Sequence, residues 1–149
     1  MPIGEICTRE VIVCSRSTSI QESAQLMRQH HVGDLVVVDE SEDKRMPVGI
    51  ITDRDIVTSV VAVKLDPTVF SAGDLVSREI VTMREDQGVF DAIRHMRMHG
   101  IRRMPVTDQG GALVGIVSID DLIQLLAEEM GNLAKLISKE QSQEIDRKR

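Results

Sequence analysis

The period of the apolar positions changes repeatedly along the chain. Val11 to Val13 is a short apolar run that predicts a strand, and Ser19-Ile20-Gln21-Glu22 offers a capping box opening a helix. That helix places Ile20, Ala24 and Met27 on one face and is expected to end near His31. Leu35 to Val38 and Val48 to Ile51 are β-branched runs that predict neighbouring strands, with the polar stretch Asp39-Glu40-Ser41-Glu42-Asp43-Lys44 as the turn between them. Neither run alternates, which implies burial on both faces. Further on, Val81-Thr82 again predicts a strand, Val89, Ile93 and Met96 share a helical face, and Gly100 is a helix terminator. Arg102 to Thr107 and Ala112 to Val117 predict two strands joined by the hairpin signal Asp108-Gln109-Gly110-Gly111. After Ser118, Leu122, Leu126, Met130, Leu133 and Ile137 recur at helical intervals, a stripe expected to dock on the chain's own core and to be interrupted or weakened at Gly131. Ser138 to Arg149 is highly charged, with Ile145 its only large apolar residue, and is expected to be frayed or disordered.

These elements occur twice. Gly4-Glu5-Ile6-Cys7-Thr8-Arg9-Glu10-Val11-Ile12-Val13 lines up with Gly73-Asp74-Leu75-Val76-Ser77-Arg78-Glu79-Ile80-Val81-Thr82, and Val48-Gly49-Ile50-Ile51-Thr52 with Val114-Gly115-Ile116-Val117-Ser118. Each unit reads strand, helix, strand, strand, helix. The units run over residues 3–65 and 72–130, joined by a linker at 66–71 where Pro67 disfavours helix in the residue before it, and followed by a charged helix or tail at 131–149. A tandem pair generates a pseudo-two-fold axis with matched clefts between its halves, and function is sought there.

Composition narrows the class. With 149 residues, 42% hydrophobic and 28% charged, the chain has the make-up of a soluble globular protein whose two units share one core. No apolar run approaches the roughly 20 residues of a membrane span. The first residues lack a basic region followed by an apolar stretch, so the chain reads as cytoplasmic. A net charge of −6 and the absence of Trp and Tyr argue against nucleic acid. Cys7 and Cys14 align with Val76 and Met83, so they read as buried reduced thiols rather than a disulfide or metal pair.

Gly49-Ile50-Ile51-Thr52-Asp53-Arg54-Asp55 and Gly115-Ile116-Val117-Ser118-Ile119-Asp120-Asp121 are one device used twice: an apolar strand, a hydroxyl residue, then a carboxylate three positions on. As helix caps, Thr52 and Ser118 are N-cap residues with Asp55 and Asp121 favourably placed in the first turn. As a binding site, the helix start suits phosphate and the carboxylate suits paired ribose hydroxyls. Both readings hold together.

The duplicated signature, with its helix and hairpin order, resembles a tandem cystathionine-β-synthase (CBS) domain pair, the Bateman module, over roughly residues 3 to 125. The resemblance implies an α/β (α+β) fold in which two pseudo-symmetric β-α-β-β-α repeats pack as one module, here with a C-terminal helical extension. It implies a non-catalytic sensor whose clefts bind AMP, ADP, ATP, NAD or S-adenosylmethionine, and which signals occupancy to an effector protein in trans, as a homodimer with the helices after Thr52 and Ser118 near its interface. Asp55 and Asp121 would hold ribose hydroxyls and Thr52 and Ser118 would sit near phosphate or ribose, while Val11, Ile12, Val13, Ile80, Val81 and Thr82 would edge the adenine. Arg102 and Arg103 are candidate phosphate partners, and Pro105 in the same strand is a further candidate ligand contact. Their counterparts are Gly33 and Asp34, and Arg54 is matched by Asp120, so unequal sites are expected. The plain alternative for Arg102 and Arg103 is one solvated arginine and one salt bridge to a neighbouring acid.

Two other classes stay open. One is a ligand-free dimeric adaptor in which the motifs are only caps and the Leu122 to Ile137 stripe recruits a partner helix; the other is a Mg²⁺-dependent nucleotide phosphohydrolase using Asp53, Asp55 and Asp121. Mg²⁺ fits better as a companion of nucleotide phosphates than as an independent centre. His95 and His99 have the spacing of a metal clamp, but no Glu follows His95, and its counterpart Leu26 points to a structural role. The eight methionines read as ordinary gap filling in a core with only two Phe.

Overall fold

The computed structural model describes residues 1–76 and 78–149; Ser77, one position of the repeat alignment, lies outside the described residues. After a short 3₁₀ turn at Ile3–Glu5, the first repeat comprises β1 (Val13–Ser15), α1 (Ile20–His30), β2 (Asp34–Ser41), β3 (Lys44–Thr52) and α2 (Asp53–Ile56). α2 runs on through a π-helical turn, Val57–Val61. The second repeat opens with α3 (Ala72–Leu75) and continues with β4 (Met83–Arg84), α4 (Val89–His99), β5 (Arg103–Thr107), β6 (Leu113–Ser118) and α5 (Ile119–Lys148).

Each repeat builds its own three-stranded sheet, β1-β2-β3 and β4-β5-β6, with the first pair parallel and the second antiparallel. The register shifts at Val37/Val38 in one and at Val106/Thr107 in the other, the same place in both copies. Leu35 to Val38 are buried throughout, as unbroken apolarity implies for a strand covered on both faces. Val36, Val38 and Leu113, with Val11, Val13, Ile50 and Ile116 against them, form a cluster joining the two sheets.

The leading segments are exchanged. Ile3 and Cys7 belong to the core of the second repeat, among Met83, Val89, Met96 and Leu122, whereas Ala72, Leu75 and Val76 pack among Cys14, Leu35, Val37 and Ile51 of the first. The backbone repeats the exchange: Ile3 and Gly4 donate to the carbonyls of Gln87 and Glu85, and Ala72 and Gly73 donate to those of Thr18 and Arg16. Neither repeat therefore completes its core alone. Ile3 is fully buried, and a buried aliphatic side chain of this kind contributes about 1.5–3 kcal/mol.

Several expectations are corrected. The strands β1 and β4 begin two and three residues later than the runs Val11–Val13 and Ile80–Thr82, because the apolar residues ahead of them cover cores and clefts between repeats instead of joining a ladder. On α1 the buried face is Ile20, Ser23 and Met27, and Ala24 is exposed; Ser23 tolerates burial because its hydroxyl donates to the Ser19 carbonyl at 2.9 Å. The Ser19 hydroxyl accepts from the Glu22 amide at 3.0 Å, giving a simple N-cap. The turn between β2 and β3 shrinks to Glu42-Asp43, both at positive φ, so the polar residues around it extend the strands. α5 passes Gly131 without a break and continues through the charged tail to Lys148. Its stripe docks on the core only at Leu122, with Leu125 partly buried, whereas Met130, Leu133 and Ile137 are exposed.

Candidate functional site

Both strand-to-helix junctions are complete capping boxes. At the first, the Thr52 hydroxyl accepts from the Asp55 amide at 3.1 Å and Asp55 Oδ2 accepts from the Thr52 amide at 2.9 Å. At the second, Ser118 and Asp121 make the same pair at 3.2 and 2.8 Å, and Asp121 Oδ2 also accepts from the Ser118 hydroxyl at 3.0 Å. In both carboxylates one oxygen holds the junction, and Oδ1 has no hydrogen bond among the described residues. The cap and a ligand contact are thus compatible uses of one side chain. The amides of Asp53 and Ile119 are tied to the carbonyls of Gly33 and Arg102, at 2.9 and 2.8 Å, which fixes each junction against the strand beside it.

Two clefts lie against these junctions, and each is built by both repeats. The first, of about 550 Å³, is lined by Thr52, Asp53, Arg54 and Asp55 from the first repeat, with Ile80, Val81, Ile101, Arg102 and Arg103 from the second. The second, of about 260 Å³, reverses the roles: Ser118, Asp120 and Asp121 face Val11, Ile12, Val32 and Asp34. The first has the volume of an ordinary small-molecule site. Ile80 and Val81, and likewise Val11 and Ile12, are half-buried in the cleft walls and offer flat apolar contact.

Close backbone approach shapes the wall of the first cleft and recurs behind the second, at residues that do not line it. A Cβ on Gly49, in the first cleft, would meet the Val76 γ carbons at 2.6 and 2.7 Å; one on Gly115 would meet Cys7 Sγ at 2.6 Å. The two glycines hold the same place in their strands, and Cys7 and Val76 likewise correspond, so the thiol supplies apolar bulk. Cys7 and Cys14 are both free and buried. Burial raises both thiols above their ordinary range, Cys14 to about 11.

Arg103 borders both clefts and pairs with Asp34 at 3.2 Å, and these two residues occupy the same position in the two repeats. Arg102 is solvent-exposed. The geometry thus has the form of the plain alternative, one solvated arginine and one salt bridge, while leaving both side chains on the first cleft. Val13, Thr82 and Pro105, offered as contacts, line neither cleft: Pro105 is buried inside β5, and Val13 packs between the sheets. Sequence reasoning passed over Arg78, Glu79 and Ile101 in the first cleft and Glu10 in the second. Arg78 could have been found from its alignment with Arg9, a cation at the same point of the leading segment.

Asp53 and Asp55 line one cleft and Asp121 the other, so the three acids of a phosphohydrolase do not converge. Among the described residues no group of three or more His, Cys, Asp or Glu is placed to hold a metal ion. His95 is half-buried, with its ring stacked on His99 at 6.0 Å between centroids. Among the described residues no helix is long and apolar enough to cross a membrane.

The family model for the CBS domain matches this chain twice, at residues 3–62 and 72–128. The chain belongs to the CBS domain family. Its two copies form a CBS pair with the architecture of a Bateman module. A protein of Methanopyrus kandleri is 39% identical over 123 residues, covering 83% of this CBS pair and 61% of that protein, so the chain spans less than two thirds of that relative. A CBS domain protein of Pyrobaculum aerophilum, solved in complex with AMP, is 28% identical with a TM-score of 0.74 and is matched over 86% of this chain and 99% of that one. Another CBS domain pair, solved with 5′-methylthioadenosine and S-adenosyl-L-methionine, is 28% identical at a TM-score of 0.73, over 87% of this chain and 98% of that one.

Proposed function

We propose that this CBS pair is a regulatory module that binds an adenosine-containing ligand in its first cleft and reports occupancy to a partner in trans. The observation that carries this reading is the convergence, from both repeats, of an unspent carboxylate oxygen on Asp55, the apolar pair Ile80 and Val81, and Arg54, Arg102 and Arg103 around one cavity. A ribose needs an acceptor for paired hydroxyls, a purine needs an apolar slot, and a 5′-phosphate needs cations. Each of these groups is among the residues that line the cleft. AMP, ADP, ATP, NAD and S-adenosylmethionine are the candidate ligands, and AMP is the simplest that uses all three features. Any Mg²⁺ would enter with nucleotide phosphates, near Asp53 and Asp55.

Because the cleft is made by both repeats, a ligand there bears on how they pack. It shifts an equilibrium between packings by its difference in affinity for them, and by no more. The helices that follow the junctions carry the signal outwards. Val57 and Val61 after the first and Ile123 and Leu126 after the second are exposed apolar residues, suited to a homodimer or an effector.

A thermal-shift panel with AMP, ADP, ATP, NAD and S-adenosylmethionine tests the reading. A ligand at 100 times its Kd stabilises by about 2.7 kcal/mol, several degrees for a chain of this size. A rise with at least one compound is expected. A flat response to all five would discard the sensor in favour of a ligand-free adaptor.

A further inference from the structure

The two clefts have the same architecture and unequal charge: the first balances its acids with arginines, and the second leaves its acids unbalanced. With the Arg103–Asp34 pair set aside, the first cleft presents Arg54, Arg78 and Arg102 against Asp53, Asp55 and Glu79, and the second presents Glu10, Asp120 and Asp121 with no cation. The difference begins at equivalent positions, since Asp120 stands where the first repeat has Arg54 and Asp34 where the second has Arg103. The Asp34 carboxylate also holds Arg103 at 3.2 Å, so the one arginine that reaches the second cleft is already engaged there. A cavity of about 260 Å³ is narrower than the roughly 8 Å Debye length at physiological salt, so salt screens its wall charges from its contents only in part.

Resting on the adenosine reading above, we infer that the second cleft is an acidic site: it rejects phosphorylated nucleotides and accepts an adenosine-class ligand whose 5′ substituent is cationic or uncharged. The ribose contact is available at Asp121, whose Oδ1 has no hydrogen bond among the described residues, and Val11, Ile12 and Ile116 supply the apolar wall. Arg103 links the two sites. A phosphate in the first cleft draws on the guanidinium that otherwise neutralises Asp34, which makes the second cleft more negative and strengthens its hold on a cation. By linkage the cation returns the same factor to the phosphate.

The test is calorimetric titration with AMP and with S-adenosylmethionine, whose sulfonium places a positive charge at the 5′ position, each alone and in the presence of the other. Wild-type protein is expected to take one AMP per chain, with any second AMP at least tenfold weaker, and to take S-adenosylmethionine in addition when saturated with AMP. The double variant Asp34→Asn, Asp120→Arg gives the second cleft an arginine where the first has Arg54 and releases Arg103 from its ion pair, and is expected to take two AMP per chain, a gain that misfolding cannot imitate. Two AMP of nearly equal affinity in the wild type, direct competition between the two compounds, or one AMP in the double variant would overturn the inference while leaving the adenosine reading intact. Binding of neither compound would overturn this inference, and the adenosine reading would fall with it only if ADP, ATP and NAD also left the melting temperature unchanged.

Discussion

Gly49→Ala tests the close approach that shapes the first cleft. The new methyl carbon would sit 2.6 and 2.7 Å from the Val76 γ carbons, about 1 Å inside the 3.5–4.0 Å optimum for carbon pairs. Val76 yields poorly, because a β-branched side chain is stiff at χ1 and its amide is tied to the Ala72 carbonyl at 3.2 Å. Overpacking of this kind costs about 1–3 kcal/mol, offset by the roughly 0.5–1 kcal/mol that alanine gains over glycine within a strand. The net loss is centred on about 1 kcal/mol and reaches at most about 2.5 kcal/mol, a fall in Tm of a few degrees. Val76→Ala removes both clashing methyls, so in thermal melts of the four proteins of a double-mutant cycle the two changes should couple by about 1 kcal/mol or more. Additive effects, or a Gly49→Ala protein as stable as wild type, would refute the reasoning. The second repeat gives an internal control. Gly115→Ala meets Cys7 Sγ at 2.6 Å and the Thr8 carbonyl oxygen at 2.9 Å, so Cys7→Ala should rescue it only in part.

Arg54→Ala is expected to weaken AMP severalfold more than adenosine in calorimetry, and equal losses for both would remove Arg54 from the phosphate end. Burial raises Cys14 from 9.0 to about 11, so the folded state holds this proton more tightly than the unfolded one. The corresponding stability is complete below pH 9 and is lost as the pH rises towards 11, with a ceiling of about 3 kcal/mol; urea unfolding near pH 8 and pH 11 should show a larger loss for wild type than for Cys14→Val, and parallel losses would count against it. The exposed residues Met130, Leu133 and Ile137 leave one apolar face of α5 open, so Leu133→Glu should lower the association state in analytical ultracentrifugation with the melting of the module unchanged; an unaltered sedimentation profile would exclude that face from self-association.

What was legible in the sequence was what is local. The spacing from Thr52 to Asp55 and from Ser118 to Asp121 sets a capping box within one turn, so these junctions could be read from four residues each. Repetition placed the hairpins, and unbroken apolarity gave the burial of Leu35 to Val38. What depended on the other repeat was not legible. Val11 and Ile12 look like strand residues but serve a cleft wall, and Ile3 looks like the start of the first unit but completes the core of the second. On α1, Ser23 and Ala24 lie on either side of the same helical stripe, and a satisfied hydroxyl lets Ser23 be the buried one. Gly131 was overweighted, since a glycine costs a helix interior only about 1 kcal/mol and does not stop it. Arg78 is signalled locally only by its alignment with Arg9, and its place in a cleft lined by both repeats is not a local feature.

The most direct measurement is a crystal structure of this protein grown with AMP. The account requires the nucleotide in the first cleft, with ribose hydroxyls on Asp55, the purine against Ile80 and Val81, and the phosphate towards Arg54, Arg102 and Arg103. Nucleotide bound away from the strand-to-helix junctions, or a first cleft empty at saturating AMP and equally empty with each of the other four compounds, would contradict it.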